Sequence, residues 1–293
     1  MRMVLQPRAC YFLLMYFSRW AAVLIFSVGS IATARAQIVL NYEINKQHVF
    51  NQTSDSGPTE GGYAYRTIAY VNVSDAQTIA RPEFTVPSGS VSGTQVLLPN
   101  GSGNDWTRNY VYQAKTDLDA AMGNGDYNFS VDGNTIAMTI GPEAFFGASS
   151  ITGGTWDANK LVVNNTGSTL ISFSDASAGD FVNGTDFIRL VLRPQAVGTI
   201  YVYESSVLVP SFTVGAGDLI DGVTYDMELR FFNVTDRDTT SIAGALGLSG
   251  FSTQTFVELK VNNASAVPEP STYALMAGAA VLGLAVWRRR RVG

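Results

Sequence analysis

From residue 37 to residue 266 the chain shows period-2 alternation of apolar and polar side chains and turn residues far more than helical spacing. In "VTYDMELRFFNV", Tyr225, Met227, Leu229 and Phe231 fall on one face and Asp226, Glu228 and Arg230 on the other, the period-2 pattern of a strand with one buried face. "FIRLVLRP" repeats it, with Ile188, Leu190 and Leu192 inward, Arg189 and Arg193 outward and Pro194 at its end, where a strand can tolerate proline. "GTIYVYESS" follows after a short gap, so the two are expected to pair as a hairpin. Further strands are predicted over 62–73, 91–98, 106–113, 127–140, 161–163, 168–173, 206–214 and 254–261. The break Asp132-Gly133-Asn134 inside 127–140 is a hairpin turn signal.

Helical signal is thin. Thr116 to Met122 is predicted as one or two turns, capped by Thr116 or Asp117 and stopped by Gly123, with shorter turns over Glu143 to Gly147 and Ser241 to Leu246. About a dozen short strands with turn residues between them predict an all-β sandwich or jelly-roll-like domain over residues 37–266. No repeat of fixed period is visible. A division near 150–155 has no proline-rich linker behind it.

The two ends break this pattern. Residues 1–36 carry Arg2, Arg8 and Arg19, then an apolar run from Ala21 to Ile31, then Ala34 and Ala36 before Gln37. That order is a secretory signal peptide with an A-x-A cleavage site. The run from Ala21 to Ala34 is shorter than the ~20 residues that span a bilayer. At the other end Thr272 to Trp287 is uncharged and Arg288, Arg289, Arg290 and Arg291 follow it. A short apolar helix closed by arginines reads as a single C-terminal transmembrane segment whose basic end stays cytoplasmic. Pro268 and Pro270 keep residues 267–270 out of any helix interior.

Eight of the 19 basic residues lie in these two ends, leaving 11 against 24 acids over residues 37–287, a net charge of −13. So acidic a body argues against nucleic acid and anionic membrane surfaces as partners. The one cysteine, Cys10, lies in the leader, which excludes disulfides and thiol catalysis from the exported part. His48 is the single histidine. It cannot build a histidine-rich zinc site, and no G-x-S-x-G elbow accompanies it for nucleophilic catalysis. No catalytic constellation is read, and the chain is expected not to be an enzyme. Paired carboxylates of a secreted glycoside hydrolase are a third-ranked alternative.

Two weaker signals concern binding. Asp175 with Asp180, Asp218 with Asp221, and Asp236 with Asp238 cluster oxygen ligands in expected loops, as calcium prefers, without matching a calcium-loop pattern. Turn chemistry explains them more cheaply. Trp106 in "GSGNDWTRNYVY" and Trp156 in "TGGTWDANK" could present flat rings for stacking on sugars, or could equally be core residues.

The run Val267-Pro268-Glu269-Pro270-Ser271, the apolar helix with small residues and the terminal arginines closely resemble the PEP-CTERM sorting signal. The resemblance covers residues 267–293 and does not extend to the body. It implies that Val267, Pro268, Glu269 and Pro270 are recognised by an exosortase, a membrane-embedded transpeptidase-like enzyme. It also implies removal of the tail and delivery to the cell surface or extracellular matrix of a Gram-negative-type bacterium that makes exopolysaccharide, while the leader and the C-terminal helix themselves predict cleavage by signal peptidase and an inner-membrane precursor. The expected role is structural or adhesive, and the alternative is a carbohydrate-binding module holding that polysaccharide.

Overall fold

The computed structural model describes residues 39–74, 79–101, 103–165, 167–174 and 181–262. The leader, with Ala34, Ala36 and Gln37, and the tail, with residues 267–270 and Arg288 to Arg291, lie outside the described residues. Within them the domain is all-β, as expected. In chain order come β1 (Val39–Asn51), β2 (Thr59–Val73), β3 (Glu83–Val86), β4 (Gly93–Val96), β5 (Leu98–Pro99), β6 (Asp105–Tyr112) and the helix α1 (Lys115–Ala121). Next are β7 (Gly125–Val131), β8 (Asn134–Ile140), β9 (Ile151–Thr152), β10 (Thr155–Asp157), β11 (Lys160–Asn164) and β12 (Thr169–Phe173). Last are β13 (Phe187–Pro194), β14 (Tyr201–Ser205), β15 (Ser211–Val214), β16 (Thr224–Asp238) and β17 (Leu246–Asn262).

A ten-stranded sheet follows the path β14-β13-β16-β17-β1-β2-β6-β5, with β11 on β17 and β10 on β11. A four-stranded sheet, β4-β3-β7-β8, and a three-stranded one, β15-β12-β9, complete the fold. The predicted hairpins form. β13 and β14 pair antiparallel with Leu190 opposite Tyr203. β7 and β8 turn through Asp132 and Gly133, both at positive φ, as a two-residue hairpin turn requires.

β17 organises the large sheet. Its first part lies parallel to β1, with Lys46 opposite Phe251, and its last part lies parallel to β11, with Leu161 opposite Leu259. β16 backs it antiparallel from Lys260 to Gly247. Because successive side chains on a strand alternate faces, Phe251, Val257, Leu259 and Val261 all point the same way. Phe251 joins Ile44, Val71, Phe84, Phe129 and Met138 in one core under the four-stranded sheet. Val257, Leu259 and Val261 join Leu190, Leu229, Ile151, Ile171 and Val214 in a second core under the three-stranded sheet. Both small sheets therefore cover the same face of the large one, and a division at 150–155 does not occur. Gln52 closes the seam there: its Nε2 donates to the Ile151 carbonyl at 3.1 Å and its Oε1 accepts the Ile151 N–H at 2.7 Å.

Several local expectations need correction. β1 and β3 are strands that the sequence pattern misses. Residues 206–210 precede the strand that was expected to start there. The helix begins after Ala114, with no side-chain cap from Thr116 or Asp117, and neither 143–147 nor 241–246 is helical. No helix among the described residues is long and apolar enough to cross a membrane; the expected segment 272–287 lies outside them.

Close approach of β16 to β17 constrains one position sharply. A Cβ added to Gly250 would sit 1.9 Å from the Asn233 carbonyl oxygen, beside the register shift of β16 between Val234 and Asp236. Gly250→Ala is expected to lower the unfolding free energy by about 1–3 kcal/mol, measured by urea denaturation. Leu170→Ala, at an exposed site, should stay within about 0.5 kcal/mol of wild type.

Candidate functional site

With both small sheets on one side, the opposite face of the large sheet carries no second layer among the described residues. Sequence alternation makes such a face polar and solvated. It is mixed: Phe187, Phe232, Val234 and Leu248 form a small buried apolar cluster on it, and beside them a polar centre is buried too, with Asn45, Ser252 and Gln254 fully inaccessible and Glu228 4% exposed. Residues from β6, β2, β1, β17, β16 and β13, six adjacent strands, line one cavity of about 520 Å³. The cavity runs across all six strands as a shallow trough on this face.

The floor is a hydrogen-bonded network. The buried Glu228 carboxylate accepts from Arg193 Nη1 at 2.9 Å and from Arg230 Nε at 2.9 Å, with Arg230 Nη2 at 2.7 Å. Arg230 also reaches Glu43, at 3.7 Å. Arg66 donates to the side-chain oxygens of Gln47 and Gln254 and lies over the Phe256 ring, 5.7 Å from its centroid. Asn45 donates to Glu43 and accepts from Ser252 Oγ at 3.4 Å. Arg189 closes one wall, pinned to Glu204 at 2.6 Å. On the other wall Asp105 accepts from Tyr70 Oη and Asn72 Nδ2, each at 2.6 Å, and from Asn100 Nδ2 at 2.7 Å.

These contacts set the charges. Burial pushes the Glu228 carboxyl up, but Arg230 and Arg193 outweigh it and hold the group below the ordinary glutamate value. Burial pushes the Arg66 guanidinium down, and the neighbouring Arg230 adds to this. Burial and the bond to Asp105 hold the Tyr70 phenol protonated well above its ordinary range. The face thus presents fixed donors and acceptors rather than mobile surface charges. Asn41 Oδ1, on the same wall, is buried and has no partner among the described residues.

The sites read from sequence lie elsewhere. Trp106 is buried in the first core, and Trp156 packs against the second. The two rings therefore form no shared stacking platform, because the strands turn them toward the sandwich interior. Asp236 and Asp238 sit within β16, not in a loop. Asp236 accepts the Thr139 N–H at 2.9 Å, and Asp238 takes Tyr42 Oη at 2.6 Å and the Thr240 and Ser241 N–H groups. Asp218 accepts from Gly215 N–H and Tyr203 Oη, while Asp175 and Asp180 lie outside the described residues. No group of three or more His, Cys, Asp or Glu that could hold a metal occurs among the described residues. His48 lies on β1, stacked on Tyr65 at 4.3 Å with Nε2 2.7 Å from Glu60 Oε1, outside the trough.

Fold and site together define an all-β sandwich domain with an open polar trough. The tail is identified independently: residues 266–291 match the family model described as the PEP-CTERM protein-sorting motif. The chain carries that sorting signal, and with it the standing of an exported protein sorted by an exosortase. No curated protein matches the chain. Among solved structures it is similar to the chicken CNTN1 FN1-FN3 domains, at 7% identity and TM-score 0.26, covering 77% of this chain and 66% of that one. A cytokine receptor complex in two crystal forms gives 12% identity, TM-score 0.23 and 76% and 95% coverage, and 11%, 0.20 and 67% and 89%. The chain spans a little under two thirds of the first of these. Likeness at this level carries no argument about function.

Glu228 is the keystone of the floor, and its role depends on pH. Its folded pKa is lowered, so its contribution is complete above the ordinary carboxylate range and is lost as pH falls through the lowered value. Glu228→Gln leaves two arginines without their buried partner and is expected to cost about 3 kcal/mol at pH 7. The gap to wild type should narrow steadily in urea unfolding curves taken at successively lower pH.

Proposed function

We propose that the exported domain is a cell-surface or matrix protein that holds extracellular polysaccharide in the trough. One observation carries this reading: the uncovered face of the large sheet keeps a buried, interlocked set of guanidinium, amide and carboxylate groups where nothing in the described fold covers them. Buried polar networks do not raise stability over apolar packing, so a use in binding is the economical account of one placed at an open surface. Sugar chains are dense in hydroxyls that both donate and accept. A trough with Asn41, Tyr70, Asp105, Thr107 and Arg193 along its walls offers partners of both kinds, already oriented. The reading rests on hydrogen bonds along the trough, not on the tryptophans.

The test is calorimetric titration of the mature protein with polysaccharide purified from the producing cells. Asn41→Ala and Arg193→Gln should each weaken binding about three- to tenfold, while Trp156→Ala should leave it unchanged. Absence of binding, or binding indifferent to both trough variants, would overturn the reading.

Sorting has a finer consequence. The signal peptide and the Pro-Glu-Pro element together support an export route in which the tail is removed after Pro270. Mass spectrometry of the protein from the surface or matrix fraction should find a start at Gln37 and no peptide from residues 271–293. An intact tail retained in the inner membrane would refute the processing step.

A further inference from the structure

Three sheet edges in this domain, β5, β8 and β9, are guarded, and the edge at β14 is not. An edge strand exposes a row of unpaired N–H and C=O groups, and folded proteins blunt it with proline, shortness or covering side chains. The far edge of the large sheet, β5, is two residues long and ends in Pro99. β8 is capped at Thr139, whose N–H is taken by Asp236 and whose carbonyl accepts from Thr235 Oγ1 and Ser249 Oγ. β9 is capped by Gln52 on both groups of Ile151. β14, at the near edge, has none of these devices. It is five residues long, contains no proline, lysine or glycine, and no side chain among the described residues bonds the backbone of 201–205 on its open side. Ile200 and Val202 stand 56% and 57% exposed there, and Tyr201, Val202 and Tyr203 favour extended pairing.

We propose that β14 pairs antiparallel with β14 of a second copy, continuing the large sheet across a two-fold axis at Val202. In this register Val202 faces Val202 of the other copy, and Tyr201 faces Tyr203. Glu204, the single charged residue of the strand, faces Ile200. It meets no like charge, and Arg189 of its own chain already neutralises it at 2.6 Å. A two-fold axis through an antiparallel pair stands perpendicular to the sheet, so the arrangement is self-complementary and both troughs open on the same side. A long polymer could then engage two troughs at once, which multiplies avidity without new contacts. The pairing rests on the strand edge alone and does not depend on what the trough binds.

The mature protein is expected to sediment as a concentration-dependent dimer. Val202→Lys places two lysines directly opposite each other and should raise the dissociation constant roughly tenfold or more, with an unchanged far-ultraviolet spectrum. Val202→Thr should retain the dimer. Register is tested by cross-linking, since Cys10 is the chain's one cysteine. Opposed residues in an antiparallel pair lie about 4.5–5.5 Å apart at Cα, within disulfide reach. Val202→Cys should therefore form a covalent dimer on mild oxidation, and Val207→Cys, exposed but off the axis, should not. A monomer at the highest soluble concentration, or a dimer indifferent to Val202→Lys, would overturn the proposal.

Discussion

The backbone ladder that ties β17 to β16 along its whole length, and to β1 and β11 at its two halves, is the constraint from which the rest of the domain follows. Parallel neighbours cannot be joined by a tight turn, so β1 and β17 meet only after the whole intervening chain has been placed. Since β17 runs through both cores without a bulge of its own, the side chains it contributes to them, Phe251, Val257, Leu259 and Val261, all face the same side. The two small sheets must then pack on that side together. The opposite face is left to satisfy its own polar groups.

That opposite face explains why an acidic domain with few basic residues concentrates Arg66, Arg189, Arg193 and Arg230 on one surface. Each is held by a neighbour on this face: Arg189 by Glu204, Arg193 by Glu228 and Arg66 by two glutamines across strands, and Arg230 by Glu228 two residues along its own strand and by Glu43 across the sheet. Pairing across strands fixes long side chains that would otherwise lose binding energy to their own ordering. It is on this preorganised surface that the proposed hydroxyl-rich ligand would be held, and the sorting tail marks the protein for export.

Much of the fold is legible in the sequence where one face of a strand is apolar. The alternation in β13 and β16 and the Asp-Gly-Asn turn between β7 and β8 needed nothing beyond period and turn chemistry. β1 was missed because Asn45, Lys46 and Gln47 are polar yet buried. Lys46 reaches Asn124 at 2.7 Å and Gln47 is bonded by Arg66, so hydropathy sees a loop where there is a central strand. The first half of β17 deceives in the same way. Ser249, Thr253 and Thr255 lie buried with hydroxyls donated to the carbonyls of Thr139, Phe146 and Ser149. The trough left a trace in the alternate Arg and Glu positions of β13 and β16, but its floor depends on the registers of five strands, which no single stretch records. The sequence left the tryptophans open between core and ligand, because a ring in a Gly/Asn-rich segment has the same neighbours in sequence whichever way it faces.

Polysaccharide in the trough is tested most directly by mapping backbone amide shifts of the isotope-labelled mature protein as oligosaccharides from the producing cells' own polymer are added. The expected result is a contiguous set of saturable shifts on β1, β2, β13 and β16, centred on Asn41, Tyr70 and Arg193. Shifts confined to the loops or to the small sheets, or none at all, would contradict it.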